Sequence, residues 1–566
     1  MKSLGIIITV LIIVFSCGGL ENLPDTVLIN GKVWTGDENQ PWAEWVTIEN
    51  GRILEVGSGQ PPLAAKVIDL NGQLTLPGFN DSHIHLASAG HLLLNSNLLD
   101  VNTTSGFIKQ LKLTAERLPA GSWITRGDWG AYEAWSMGSE GLSRNNQYFT
   151  PHRAMIDSVT GNHPVLVTRY DRSQGLANQL ALSILGIESE SGLLTGRELK
   201  EAQALIPDKP YAQRLAETKR ALAEIRKFGV TTVQDMSALD QMDYYQYLRD
   251  RDSLTARINF SPSRLIDYKM MIDKGWVIDW HNPAGPLPAG DEWFVFGTIK
   301  THIDGIMGGR TARFFEPYSD NSMEMVEWRG GWREFSKDLD LFKSMIISAD
   351  SAGIQLRIHA IGDEANSILL DILDTLDVAN GAKDRRFRLV HAQVISDSDM
   401  PRFSGRNIIA EVQPYHVTDD MRWMEERIGY ERCKGAYAFK SLNEAGSILS
   451  FGSDWPGTNA SYYPINPLYG IYAAVTRQTL QGEPENGWFP EQKITLEDAL
   501  RAYTYGSSFS AFEESRKGTI EPGKFADITV LDTDLFVTKP EKWLYANVVY
   551  TIVDGKIVYQ QRSLVD

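Results

Sequence analysis

The stretch that decides the fold is Leu74-Thr75-Leu76-Pro77-Gly78-Phe79-Asn80-Asp81-Ser82-His83-Ile84-His85. An apolar, strand-like run ends in two histidines spaced i, i+2. On an extended strand these positions point to the same side, so both imidazoles can reach one metal ion. Such a pair alone is weak evidence, and its meaning depends on what the rest of the chain places beside it.

Further along, the same pattern recurs. Phe296-Gly297-Thr298-Ile299-Lys300 presents a lysine, Leu356-Arg357-Ile358-His359 and Leu389-Val390-His391 each present a histidine, and Ile448 to Asp454 ends in a carboxylate. Helical stretches precede or separate these runs, at Tyr211 to Lys227, Phe342 to Ala352 and Asn366 to Val378. Short apolar strands alternating with helices imply a parallel sheet with crossover connections. In a closed (β/α)8 barrel the chemistry gathers at the C-terminal ends of the strands, where these five groups lie. No G-x-G-x-x-G follows a strand, which removes the main sign of a nucleotide fold. The barrel is expected over 78–505, with 87–160 and 240–290 as insertions or lids.

Both ends of the chain read differently. Val27 to Trp34 and Trp45 to Val56 are short alternating strands, with Asn30-Gly31 and Asn50-Gly51 as hairpin signals. The tail repeats this style at Asp527 to Leu531 and Val548 to Val553, before Asp554-Gly555. These ends predict one small β-sandwich assembled from 24–77 and 506–566.

The first residues carry an address. Lys2, the apolar run Leu4 to Phe15 and Ser16-Cys17-Gly18 describe an export signal too short to span a bilayer. Val14-Phe15-Ser16-Cys17 resembles a bacterial lipobox, so 1–17 is expected to be a lipoprotein signal peptide with Cys17 as the lipid attachment point. The mature chain would then lie in the bacterial cell envelope, touching membrane only through that anchor.

Composition narrows the rest. The 566 residues include 55 Lys+Arg against 72 Asp+Glu, a net charge of −17, which argues against a nucleic-acid partner. Two cysteines leave no disulfide framework and no cysteine-based zinc cluster. With imidazole and carboxylate donors, the strand-end set suits Zn, Mn, Fe or Ni.

Taken in order, these motifs resemble the amidohydrolase superfamily, most closely the branch typified by N-substituted formamide deformylases (amidohydrolase family 3). The resemblance rests on Leu76 to His85, Ile299 to Ala312, Ile358-His359-Ala360-Ile361-Gly362-Asp363, His391-Ala392-Gln393, Gln413-Pro414-Tyr415, Gly452-Ser453-Asp454-Trp455-Pro456 and Gly518 to Asp527. It implies a distorted (β/α)8 barrel with a composite β-sandwich, and a site for two divalent metals, zinc first. His83, His85 and Asp454 would hold the more buried ion, and His359 and His391 the more exposed one. Lys300 would bridge them as a CO₂-derived carbamate. Metal-activated hydroxide would attack a carbonyl while Asp454 takes up and returns the proton.

The implied activity is hydrolysis of a non-peptide C–N bond in a small-molecule amide, an N-formyl or N-acyl amine. The alternatives are a cyclic amide, ester or lactone on the same site, and, more remotely, an inactive binding lipoprotein. Candidate substrate contacts are Trp129, Asp304, Arg310, Gln393, Tyr415 and Trp455. One departure stands out: where the branch carries Asp-Gly-His before an asparagine, this chain has Asp171-Arg172-Ser173 before Asn178, so Ser173 replaces the histidine. That places formamide specificity in question.

Overall fold

The computed structural model describes residues 23–99, 101, 103–130, 151–169, 172–320, 329–458 and 461–561. Cys17 and the rest of the expected signal peptide lie outside the described residues, as does Asp171. No helix among the described residues is long and apolar enough to cross a membrane.

Nine short strands, all parallel within their sheets, carry the middle of the chain. Phe79–Ile84, Val230–Asp235, Arg257–Phe260 and Phe294–Val295 form one sheet, and Thr298–His302, Gln355–Ala360, Arg388–His391, Ile409–Val412 and Ile448–Phe451 the other. Each sheet keeps chain order, with helices such as Tyr211–Ile225, Leu339–Ser351 and Asp363–Asn380 in the connections. That is the crossover arrangement the alternating sequence requires. Strands buried on both faces explain the near-continuous apolar runs.

The strand ladder does not run unbroken around all nine strands among the described residues. Gly297, at φ 121°, separates Phe294–Val295 from Thr298–His302. The two sheets are nevertheless tied at both flanks. Lys300 N donates to Pro262 O at 2.8 Å, Asp454 N to His83 O at 2.7 Å, and His85 N to Trp455 O at 2.9 Å. Gly452 is required at the second flank, because a Cβ there would lie 2.6 Å from His83 N.

The chain ends build two further sheets. Arg52–Gly57, Trp45–Glu49, Thr26–Ile29 and Lys66–Asp69 form one, and the other runs Lys556–Gln560, Val548–Val553, Ile528–Leu531, Leu74–Pro77, Lys32–Trp34 and Trp42–Ala43. Leu28, Val46 and Ile53 of the first share a core with Val33, Val530 and Ile552 of the second. Asn50 and Gly51, both at positive φ, close a hairpin as their sequence predicts. Asn30-Gly31 does not. It passes the chain from one sheet to the other, and a Cβ on Gly31 would meet Leu70 at 2.8 Å, so close packing selects the glycine.

The segment around 87–160, expected as an insertion or lid, forms part of a four-stranded sheet, Ile124–Trp129, Val165–Arg169, Gln174–Ala177 and Leu193–Thr195, with its own core around Phe107, Leu111 and Val167. The stretch 240–290 differs from expectation. It contains Arg257–Phe260, which pairs inside the parallel sheet, so it belongs to the framework.

Candidate metal centre

Beyond the C-terminal ends of the parallel strands opens a cavity of about 710 Å³, and His83, His85, Lys300, His359, His391 and Asp454 all line it. The i, i+2 pair sits at the end of Phe79–Ile84, Lys300 on Thr298–His302, His359 on Gln355–Ala360 and His391 at the end of Arg388–His391. The ring centroids of His83 and His391 are 5.1 Å apart, and those of His359 and His391 4.5 Å. His83 Nε2 and His85 Nε2 approach Asp454 Oδ1 at 3.5 and 3.2 Å. One ligand atom each from His83, His391 and Asp454 lies within 4.8 Å of the others. That spacing and donor set fit a divalent ion bound between them.

The partners of the rings fix which nitrogen faces the cavity. His83 Nδ1 donates to Glu411 Oε1 at 2.6 Å, and His391 Nδ1 to Gln413 Oε1 at 2.6 Å, so both keep the Nε2 lone pair for a metal. His359 is turned the other way: Nε2 donates to Gly305 O at 2.9 Å and leaves Nδ1 as its donor atom. Burial, with the nearby Lys300 charge, holds His83 well below the ordinary imidazole range and pushes His359 down to about 3. Burial and the neighbouring His359 do the same for His391. All three are neutral, the form that ligates. Burial would raise Asp454, but its carboxyl is held below the ordinary range, with the hydrogen bond from His85 contributing, and the group stays a carboxylate.

Lys300 is buried, and that burial pulls its ammonium down to about 7. A substantial fraction of neutral amine therefore exists near neutral pH. Three site positions, His391 (φ 72°), Ala392 (φ 40°) and Asp454 (φ 56°), have left-handed backbone. Non-glycine residues hold such conformations at a cost of about 1–3 kcal/mol each, and they concentrate where side chains must be aimed.

Below the cavity lies a cluster that the sequence pattern did not pick out. Glu411 accepts from His83, from Arg357 Nε at 2.8 Å and from Arg388 Nε at 2.8 Å. Burial would raise this carboxyl, yet the two guanidiniums keep it below the ordinary range. Arg357 also donates to the Ser82 carbonyl, and Arg388 Nη2 to Gln234 Oε1 at 2.7 Å. Asp81 Oδ1 accepts from His83 N at 3.0 Å and Ser453 N at 2.9 Å, joining the two ligand-bearing ends. The available signal was a charged residue inside otherwise apolar strands, at Leu356-Arg357-Ile358 and Ile409–Val412.

The expected substrate contacts separate into two groups. Asp304 and Gln393 line the cavity. Asp304 accepts from the backbone N–H groups of Arg313, Ile361 and Gly362, while Gln393 donates to Asp420. Trp129, Arg310, Tyr415 and Trp455 are not among its lining residues. Trp129 packs at 90° on Phe107 in the core of the four-stranded sheet, Arg310 makes a bidentate pair with Asp320, and Tyr415 packs against Tyr463. Trp455 is fully buried. Two histidines given no ligand role also line the cavity, His302 and His416. Asn178, downstream of Ser173, is a helix cap: Oδ1 accepts from Ala181 N, and Nδ2 donates to Thr160 and His163 O. Cys433 is buried, which pushes its thiol up to about 12, the behaviour of an inert core residue.

The family model described as "Amidohydrolase family" matches residues 66–559, and the chain belongs to that family. It is 32% identical to Protein LONG AFTER FAR-RED 3 of Arabidopsis thaliana, over 94% of this chain and 91% of that protein. It is 24% identical to an N-substituted formamide deformylase of Arthrobacter pascens, over 96% of this chain and 99% of the relative. Among solved structures, an uncharacterized metal-dependent hydrolase from Pyrococcus horikoshii OT3 superposes with a TM-score of 0.72 at 24% identity, covering 91% of this chain and 99% of that one. A counterpart from Pyrococcus furiosus gives 0.70 at 23%, covering 91% and 100%. These two likenesses concern the fold.

Proposed function

We propose that this chain is a metal-dependent amidohydrolase that hydrolyses the C–N bond of a small non-peptide amide, such as an N-formyl or N-acyl amine. The observation that carries the reading is the convergence of His83, His391 and Asp454 donor atoms within 4.8 Å at the strand ends. The tautomers set by Glu411 and Gln413 support it, because each leaves Nε2 free. The architecture is read as a distorted (β/α)8 barrel in which 294–302 counts as one strand interrupted at Gly297. The shared core of the two terminal sheets supports a composite sandwich beside it.

His83, His85, His359, His391, Asp454 and Lys300 would hold two divalent ions, zinc first, with Lys300 as its carbamate. Burial supports that role for Lys300, because the neutral amine that reacts with CO₂ is accessible near pH 7. When bound, such ions polarise a carbonyl and lower the pKa of water. The chain's own part in the proton transfers falls to Asp454. Held as a carboxylate beside His83 and His85, it accepts the proton of the attacking water and delivers it to the departing nitrogen. The backbone strain at Asp454 and His391 and the cluster beneath His83 keep these groups oriented while the acyl carbon changes geometry.

A screen of N-formyl, N-acetyl and cyclic amides on metal-reconstituted protein tests the reading. Release of amine from at least one class is the expected outcome. Hydrolysis of esters or lactones alone would overturn the C–N assignment. We further propose that Cys17 is lipidated and anchors the mature protein in the cell envelope. Mass analysis of the mature N-terminus checks this, and an unmodified N-terminus would refute it.

A further inference from the structure

Arg333 and Lys337 line the cavity that holds the strand-end ligands, and among the described residues neither side chain has a hydrogen-bond or ion-pair partner. The segment that carries them is fixed to the end of the Lys300 strand. Arg333 N donates to Ile303 O at 3.0 Å, Ser336 Oγ donates to the same carbonyl at 2.8 Å, and Trp332 forms a bridge to Asp304. Gly331 N donates to Thr311 O at 3.2 Å. At Gly330 (φ 95°) a Cβ would fall 1.8 Å from Ala312 O, so the two backbones lie in direct contact. The placement of both cations therefore comes from the backbone and leaves their charged ends uncommitted.

The carboxylates of the same cavity are committed elsewhere. Asp304 accepts from the N–H groups of Arg313, Ile361 and Gly362, Asp420 accepts from Gln393 and Tyr437, and Asp454 faces His83 and His85. What remains is an exposed positive rim on a molecule of net charge −17. The molecule as a whole repels an anion, while a cleft lined by one sign of charge draws in its opposite and orients it. Arginine offers a planar fork that matches a carboxylate, and lysine adds a point charge. Met307 and Trp332 also line the cavity and give apolar surface to the body of a ligand.

We propose that Arg333 and Lys337 bind a carboxylate on the substrate, so that the site takes amides bearing a carboxylate remote from the scissile bond in preference to neutral amides of the same shape. The inference rests on the amide-hydrolysis reading and narrows its substrate class. With the acyl carbon beside Asp454 and the carboxylate held at the rim, the substrate is anchored at two points, which fixes the direction of the C–N bond. Water adds to the acyl carbon, and Asp454 takes one of its protons. The C–N bond then breaks with its electron pair on nitrogen, and that nitrogen takes the proton from Asp454. The remote carboxylate keeps its charge throughout and serves only as the handle.

The test compares kcat/KM for the acid and carboxamide forms of one amide on the metal-loaded enzyme. N-formylphenylalanine with N-formylphenylalaninamide, followed by formate release, puts the charge on the amine side. N-phenylsuccinamic acid with N-phenylsuccinamide, followed by aniline release, puts it on the acyl side. The best amide of the functional screen is then treated in the same way. Wild-type enzyme should favour the acid of at least one pair by about 10–100-fold, the range of one or two charge-assisted hydrogen bonds. That preference should shrink as ionic strength rises from about 0.05 to 0.5 M, because exposed charges are screened. R333Q and K337Q should each lower it by about 10-fold, mainly through the KM of the acid, with R333K restoring part of the loss. K112Q removes an exposed charge that does not line the cavity and should leave the ratio as in wild type. Equal turnover of acid and carboxamide in every pair, a preference that survives in the R333Q/K337Q double variant, or an equal fall in K112Q would overturn this inference alone. Absence of turnover with every amide of the screen defeats the hydrolase reading and this inference with it.

Discussion

Two buried clusters in this molecule are built from the same parts and differ in what they leave over. Arg257, on the parallel strand Arg257–Phe260, makes a bidentate pair with Asp527 at 2.7 and 3.1 Å and reaches Asp554 at 3.3 Å, next to the terminal strands. Its third arm donates to the Glu292 carbonyl at 2.8 Å, and its face lies on Phe525. Every nitrogen of that guanidinium is used. The second cluster, Glu411 with Arg357 and Arg388, has the same charge-assisted bonds, but one carboxylate oxygen also takes the His83 ring. Around it polar atoms stay unpaired, among them Arg388 Nη1 and Asp81 Oδ2. A fully satisfied buried cluster joins elements. A cluster with one bond directed at a ligand sets that ligand's tautomer and aim, and it tolerates unpaired atoms nearby.

The contrast can be broken or sharpened by substitution. Asp454→Asn keeps the shape at the site but removes the proton carrier. Steady-state kinetics on the screened substrate should show a loss of about 10²–10⁴-fold in kcat, with stability little changed. Normal turnover in this variant would sink the proton-transfer role. Glu411→Gln should act on both sides of the comparison. Equilibrium metal titration should show affinity reduced by about 10–100-fold. Denaturant unfolding should show a cost of about 3–5 kcal/mol from the uncompensated arginines.

Arg257→Met should give only half of that result, about 3–5 kcal/mol of lost stability with metal affinity unchanged, because its carboxylate partners touch no ligand. If it also lost metal, the two clusters would not be separable. The smallest effect belongs to Asp534→Asn, which removes the part-exposed pair with Lys32 at 2.5 Å. Chemical denaturation should register less than about 1 kcal/mol, since solvent screens such pairs.

What the sequence could and could not reveal follows from locality. The H-x-H pair and the residues ending each apolar run were readable, because a strand of period two and the strand-end rule turn spacing directly into direction. The alternation of helices and parallel strands was readable for the same reason. The packing of Trp129 into the four-stranded sheet was not, because an aromatic after a strand looks the same whether it faces a cavity or a core. The roles of Glu411, Arg357 and Arg388 depend on contacts across 23 and 54 residues, and no local pattern encodes them. His416 escaped because its place in the cavity wall is a property of the surroundings and not of the chain. Asn30-Gly31 and Asn50-Gly51 are identical as dipeptides, yet one crosses between sheets and the other closes a hairpin. Tertiary packing decided between them.

The central claim is that the strand-end histidines and Asp454 form a metal centre. Metal content per chain, measured on carefully purified protein and again after reconstitution, tests it most directly when wild type is compared with the double variant H83N/H391N. The account predicts at least one and up to two equivalents of a divalent ion in the wild type, and its loss from the double variant. Less than one equivalent in reconstituted wild type, or equal content in the two proteins, would contradict it.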